Sequence, residues 1–233
     1  MKRPFLVSFS GMDGSGKTHL VILLRRFFRR QGISYLYIHS VRDSFANRIA
    51  KKIPSFKNLV HSKVVDNGQE PEISLMKNEK IKSEKKISSL SLAVRNITLL
   101  LDALYLRFRI AYIWKDYDVL VFDRYIYDRI AQIAYLRQKN TVNFSSWLVK
   151  IFPRPNLPLY LHITPDQAIE RKKEVLLEGQ GLEYFQIKYN LLEEGKLLWK
   201  LLAIDNSELT LSEAKKKMIA IFKKRYFKYK RKA

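Results

Sequence analysis

The chain has 233 residues, 47% of them apolar and 12% aromatic, enough for one α/β core with a well-covered sheet and too few for two full-sized domains with a linker. Lysine and arginine number 44 against 22 acidic residues, a formal charge of +22 that favours anionic partners (nucleotides, nucleic acid or acidic membranes); a merely basic surface without a polyanion partner is the other reading. The lack of cysteine excludes disulfides and thiolate metal centres, and no apolar run approaches the roughly 20 residues that span a bilayer.

In chain order, Phe5-Leu-Val-Ser-Phe-Ser10 is short, apolar and rich in strand formers, and it stops at Gly11, the pattern of a buried first strand. It carries no signal-peptide pattern, so the expected location is the cytoplasm. From Lys17 the apolar spacing changes to three and four residues (Leu20, Leu23, Leu24, Phe27, Phe28), with arginines between and Gly32 beyond, which predicts an amphipathic helix. Ser34-Tyr-Leu-Tyr-Ile-His39 reads as a second strand, and strand, glycine loop, helix, strand opens a parallel α/β sheet. Residues 57–86 are polar and lysine-rich around Asn67-Gly68 and Pro71, without a sustained period, and read as an insert.

Helical spacing returns from Ile87 to Trp114, and Asp118-Val-Leu-Val-Phe122 is another buried strand ending at Asp123. Helices are expected over Ile126–Arg137 and Phe144–Ile151, then a strand over Leu159–Ile163. Thr164-Pro165-Asp166 reads as an N-cap with proline at the first helical position. Glycines 179 and 181 break the helix that follows, another runs from Leu182 to Trp199, and Leu201–Ile204 is a short final strand. Ser212–Phe222 looks helical. The expected organisation is one domain over 1–222, with the 57–86 insert and a candidate lid at 170–181, and a basic tail at 223–233. That tail interleaves cations with Tyr226, Phe227 and Tyr229, as a nucleic-acid or membrane-surface contact would; a frayed, solvated helix end is the other reading.

The strongest chemical signal is Gly11-Met12-Asp13-Gly14-Ser15-Gly16-Lys17-Thr18, which meets every fixed position of the phosphate-binding pattern G-x-x-x-x-G-K-[ST] between a strand and a helix. Glycines allow successive backbone N–H groups to wrap a phosphate, and the helix start adds its positive dipole end. Lys17 then reaches the β- and γ-phosphates, and the Thr18 hydroxyl binds magnesium. ATP and Mg2+ are the expected cofactors. The second signal is Asp123-Arg124-Tyr125 at the end of an apolar strand. Ligands of open parallel sheets bind at the carboxyl ends of strands, which would let Asp123 hold magnesium through its water shell and Arg124 clamp an acceptor phosphate. A buried strand-end salt bridge is the alternative.

Together, Phe9-Ser-Gly-Met-Asp-Gly-Ser-Gly-Lys-Thr18 and Val121-Phe-Asp-Arg-Tyr125 resemble the thymidylate kinase family, and the order of elements fits it apart from the insert and the tail. The resemblance implies a three-layer P-loop NTPase fold, with a parallel sheet of about five strands and helices on both faces. It also implies that Asp13 lies near the acceptor's sugar hydroxyl and that Arg124 contacts the acceptor phosphate, with Arg42 the best match for a second such contact and Tyr125 among the substrate-binding residues. A mobile lid supplies a catalytic cation in this family, and Arg171, Lys172 and Lys173 stand at the right distance; a solvated helix face is the alternative. A base-contacting arginine is expected on the helix before Asp123, with Arg107 nearest in spacing and Arg95 and Arg109 also available; an ordinary surface arginine is the alternative. Phe108 or Tyr105 could stack on the base, and both fit a core stripe equally well.

The departures bear on specificity. Val41-Arg-Asp-Ser44 replaces the family's Arg-Glu-Pro-Gly-Gly-like stretch, and Asp128 stands where a serine is usual. The reaction implied is phosphoryl transfer from ATP to a nucleoside monophosphate, dTMP for preference. A kinase for another small acceptor and a nucleic-acid-binding P-loop protein are the competing readings. Partners expected are ATP and the monophosphate, with a homodimer and a nucleic-acid contact through the basic surface left open.

Overall fold

The computed structural model describes residues 3–39, 89–136, 142, 146–171 and 182–232. Five strands form its centre: β1 (Phe5–Gly11), β2 (Tyr35–His39), β3 (Val119–Asp123), β4 (Leu157–His162) and β5 (Leu202–Asp205). They make one sheet in the order β2-β3-β1-β4-β5, and every pairing is parallel. Every residue of β1 and β3 is buried, as expected of strands covered on both faces. Their side chains alternate between two cores. Phe5, Val7 and Phe9 of β1 join Val119 and Val121 on one face, while Leu6, Leu120 and Phe122 join the other.

Helices cover both faces. On the Phe9 side lie α1 (Lys17–Arg30) and the C-terminal helix α7 (Leu211–Lys232), through Leu20, Leu24, Phe28, Met218 and Phe222. On the Phe122 side lie α2 (Ser89–Phe108), α3 (Ile126–Leu136), α4 (Ser146–Ile151) and α6 (Leu182–Leu198), through Leu99, Ala103, Ile130, Leu148, Phe185 and Leu192. The short α5 (Pro165–Arg171) follows β4 and packs with that second core through Ala168. The expected three-layer α/β P-loop fold is therefore present, with a parallel five-stranded sheet. Beyond Phe108 the long helix continues as a π-helical turn, Arg109–Ile113.

Two helix starts are fixed by reciprocal capping. The Gln167 N–H donates to Thr164 Oγ1 at 3.4 Å while the Thr164 N–H donates to Gln167 Oε1 at 3.2 Å. Thr210 and Glu213 repeat the device ahead of α7, at 3.3 and 2.9 Å, so each pair satisfies two otherwise orphaned donors. No helix among the described residues is long and apolar enough to cross a membrane.

The C-terminal end differs from the expected tail. α7 runs without a break from Leu211 to Lys232, so the backbone has no boundary at residue 222. The reason is packing. Phe222, Tyr226 and Tyr229 all meet the Phe5 ring edge-on at 5.3 to 5.7 Å, the Tyr229 hydroxyl donates to Arg3 O at 2.6 Å, and Lys230 pairs with Asp118 at 3.0 Å. The apolar stripe of the helix thus extends under its cations to the last turn. Tyr226→Ala should lower the unfolding free energy by about 3–5 kcal/mol, the cost of emptying a buried aromatic site. Lys228→Ala, an exposed neighbour, should change it by less than about 0.5 kcal/mol; urea denaturation measures both. Equal small effects would return residues 223–232 to the status of a tail.

Candidate functional site

β1 occupies the middle of the sheet, with β3 on one side and β4 on the other, so the loops leaving their carboxyl ends converge on one crevice. The loop after β1 starts at Gly11 with φ +148°, where a Cβ would lie 2.6 Å from the Leu161 carbonyl oxygen; only glycine allows β4 to approach so closely. Met12 is buried in the Phe122-side core and anchors the loop. The Asn206 side chain, just past β5, donates to Ser15 O at 2.8 Å, and Gly16 at φ +83° turns the chain into α1.

Lys17 curls back over this loop. Its ammonium donates to Gly11 O at 2.8 Å and Met12 O at 2.7 Å, with Ser15 Oγ at 3.4 Å. Burial, reinforced by the nearby Arg124 guanidinium, pushes its pKa down to about 8. Thr18 follows on the exposed side of the first turn of α1.

Asp13 is the centre of the site. Its carboxylate is buried, receives Arg124 Nη2 at 2.6 Å and Lys188 Nζ at 3.2 Å, and lies 4.0 Å from Lys17 Nζ. Arg124 reaches it from the residue after β3, in the left-handed backbone region at φ +58°. For a non-glycine residue that conformation costs on the order of 1–3 kcal/mol and is typical of sites where function fixes the backbone. Asp123, beside it, accepts from the Tyr37 hydroxyl through Oδ2 at 2.9 Å, while its buried Oδ1 has no hydrogen-bond partner among the described residues. Asp128, on the first turn of α3, accepts the Gly11 N–H at 3.1 Å and lies close enough to Lys17 to offset part of its burial cost.

Of the residues singled out from sequence, the fold brings Gly11 to Thr18, Asp123 and Arg124 into one crevice. Arg171 ends α5 at its rim: Nη2 donates to Asn206 O at 3.0 Å, and its Cβ lies 3.7 Å from where a Gly14 Cβ would stand. Tyr125 is elsewhere. It is a core residue against Phe122 and Phe152, its hydroxyl donates to Pro153 O at 2.5 Å, and burial raises its pKa well above normal. Arg107 likewise donates to Ile151 O at 2.6 Å, bracing the C-terminal carbonyls of α4. Arg109 covers the Trp114 ring at 4.4 Å, and Phe108 is exposed. Arg42, Lys172, Lys173, most of the 170–181 lid, the 57–86 insert and the Arg95 side chain lie outside the described residues.

Lys188 was not anticipated. A lysine in a helix ordinarily reads as a solvated face, yet Phe185, Lys188 and Leu192 recur at three- and four-residue steps, and all three are buried. A cation on the apolar stripe was the available signal.

A parallel sheet with a glycine-rich phosphate-binding loop after its central strand and a carboxylate–guanidinium pair after the neighbouring strand defines a P-loop α/β fold of the kinase type. No family model matches the chain. It is similar to a protein of Pyrococcus abyssi (strain GE5 / Orsay) named "Probable thymidylate kinase", with 24% identity over 235 residues that cover 95% of this chain and 97% of that protein. This weak, nearly full-length likeness supports a relationship to the P-loop kinases.

Removing Asp13 and removing Lys188 should differ. Asp13→Ala leaves buried cations without their shared counter-charge and should cost about 3–5 kcal/mol. Lys188→Met leaves Asp13 with Arg124 and should cost about 1–3 kcal/mol. Chemical denaturation of the two variants measures this, and an equal or reversed ranking would show that Asp13 is not the organising group.

Proposed function

We propose that the chain is an ATP-dependent nucleoside monophosphate kinase, with dTMP as its preferred acceptor and dTDP and ADP as products. The observation that carries this reading is the meeting of Lys17, Asp13 and Arg124 in one crevice. A cation suited to the donor phosphates and a guanidinium suited to an acceptor phosphate share a carboxylate between them. The nearly full-length similarity to a protein named as a thymidylate kinase supports the choice of acceptor.

In the proposed reaction an oxygen of the acceptor's 5'-phosphate attacks the γ-phosphorus, the bond between that phosphorus and the β–γ bridging oxygen breaks, and ADP leaves. The acceptor is already anionic, so no side chain need remove a proton from it, and catalysis rests on position and charge. Lys17 exchanges the carbonyls of Gly11 and Met12 for phosphate oxygens. Arg124 exchanges Asp13 for the acceptor phosphate, which leaves Asp13 to accept from a sugar hydroxyl while Lys188 keeps it in place. Arg171, near the Gly14 turn, would bring a further positive charge toward the transferring phosphoryl group.

Magnesium would be held by the Thr18 hydroxyl and, through water, by Asp123. The buried Oδ1 of Asp123, without a hydrogen-bond partner among the described residues, fits that task, since it can accept from a metal-bound water. The ion would supply neutralising charge between the phosphates.

A kinase for a different small acceptor is the second reading. It is favoured by the commitment of Tyr125 and Arg107 to carbonyls of the 150–153 segment rather than to an open pocket.

A coupled assay of ADP release over dTMP, dUMP, other monophosphates and nucleosides decides between them. Turnover that depends on dTMP is expected; dependence on another acceptor selects the second reading, and no acceptor-dependent turnover overturns both. Lys17→Ala should lower kcat by about a hundredfold or more with the fold retained, the scale for removing a group that stabilises transferring charge. Arg124→Ala should lower acceptor kcat/KM far more than it changes ATP affinity, and unchanged kinetics would remove Arg124 from this role.

A further inference from the structure

We propose that the outward side of α7 is a docking surface for single-stranded nucleic acid, separate from the P-loop crevice. α7 lies on the sheet with Ala214, Met218, Phe222 and Tyr226 buried. The opposite side presents Lys216, Lys217, Lys224, Lys228 and Arg231, all exposed, and no acidic residue occurs from Ala214 to the end of the chain. Not all cations of the helix belong to this surface. Lys230 is paired with Asp118, and Arg225 donates to Asn156 O at 3.0 Å, so these two hold the helix to the body. Among the described residues, no ion pair engages Lys217, Lys224, Lys228 or Arg231. The spacing of Lys224 and Lys228 by four residues makes them mutually repulsive on a helix, and an anionic partner would relieve that repulsion.

The choice of partner follows from what else the surface offers. A basic amphipathic helix that binds a membrane needs its apolar face free to enter the lipid, and here that face is spent on the sheet. Phe227 remains, 54% exposed and flanked along the helix by Lys224, Lys228 and Arg231. An aromatic ring within a field of cations is the pairing that stacks unpaired bases while neutralising their backbone. The stretch from Lys217 to Arg231 spans about 21 Å at 1.5 Å per residue, matching about six nucleotides at 3.4 Å each, within the range of known single-strand sites. Exposed Arg26 and Arg30 of α1 extend the field, since α1 packs beside α7 with the Lys223 ammonium 5.5 Å from the Phe27 ring.

The half of the surface that holds Lys224, Phe227, Lys228 and Arg231 lies away from the crevice. The last turns of α7 contact Arg3 and Asp118, which precede β1 and β3, at the amino-terminal end of these strands and so at the opposite end from the phosphate-binding loop. Occupancy there and phosphoryl transfer are therefore separable.

Fluorescence anisotropy of the full chain tests this, with labelled single-stranded RNA and DNA of about 20 nucleotides, a duplex of the same length, and phosphatidylcholine vesicles containing phosphatidylserine, at about 0.1 M salt. Saturable binding to the single strands is expected, weakening as salt rises. Replacing Lys217, Lys224, Lys228 and Arg231 together by Gln should weaken it about tenfold or more and flatten the salt dependence by about 0.7 for each phosphate that is no longer neutralised. Phe227→Ala alone should weaken single-strand binding about fivefold or more and leave duplex binding unchanged. ADP release should stay as in the parent, because none of the replaced side chains belongs to the group of residues around Asp13. No binding to single strands, equal binding by the Gln variant, an unaffected Phe227→Ala variant, or binding to vesicles alone would each overturn the proposal.

Discussion

A single buried carboxylate, Asp13, holds together cations from three separate parts of the chain: Lys17 of α1, Arg124 after β3 and Lys188 of α6. Without it those positive groups would face one another in a confined volume, where their repulsion is far less screened than in water. The cost of confining them is visible in Lys17, whose pKa is pushed down to about 8 by burial and by the Arg124 charge, even with Asp13 beside it. A cluster of this kind requires that β1, β3 and α6 be placed within ångströms of one another. The parallel pairing of Phe9 with Asp123 does this for the first two. The packing of Phe185 and Leu192 against the same core does it for the third.

Two further acids act to the same end. Asp128 takes the Gly11 N–H and faces Lys17, and Asp123 takes the Tyr37 hydroxyl, so among the described residues three carboxylates stand with Lys17, Arg124 and Lys188, although the chain as a whole carries +22. Among the described residues, α1 and α7 carry much of the excess positive charge. α7 tolerates it because its inward stripe of Met218, Phe222 and Tyr226 is fully covered, and burial of that order outweighs the few tenths of a kcal/mol by which neighbouring surface cations repel.

Much of this was legible in the residue pattern, for physical reasons. β1 and β3 are continuous apolar runs stopped by a glycine and an aspartate, and α1 changes the apolar period from run to three-and-four spacing at Lys17. The phosphate-binding loop is readable because its chemistry is local: the glycines, the lysine and the hydroxyl lie within eight residues. Thr164 was also readable as a cap, although its reciprocal partner Gln167 needed the backbone to be seen. What escaped depends on tertiary partners. Arg107 and Tyr125 are bound by carbonyls of residues 150–153, and nothing near either residue in sequence announces that. Lys188 was hidden by the habit of reading helical charges as solvated. The end of α7 was hidden by composition, because the cations outnumber the tyrosines that carry its packing.

The donors of the phosphate-binding loop are not idle in this structure, and that bears on how an anion would enter. Lys17 already satisfies two loop carbonyls, and Arg124 already satisfies Asp13. For the proposed reaction, entry of phosphate is then an exchange of partners rather than a capture by unsatisfied groups. At Lys17 the exchange replaces neutral carbonyl acceptors by charged oxygens, and charge-assisted hydrogen bonds are roughly twice as strong as neutral ones. At Arg124 it replaces one anion by another, so the gain must come from elsewhere: from the second oxygen a phosphate offers to a planar guanidinium, and from the relief of crowding around Asp13. Lys188 matters for the second step because it keeps Asp13 paired after Arg124 has turned away. The carboxylate therefore need not be left buried and alone at any stage, a condition that costs several kcal/mol and would otherwise oppose binding.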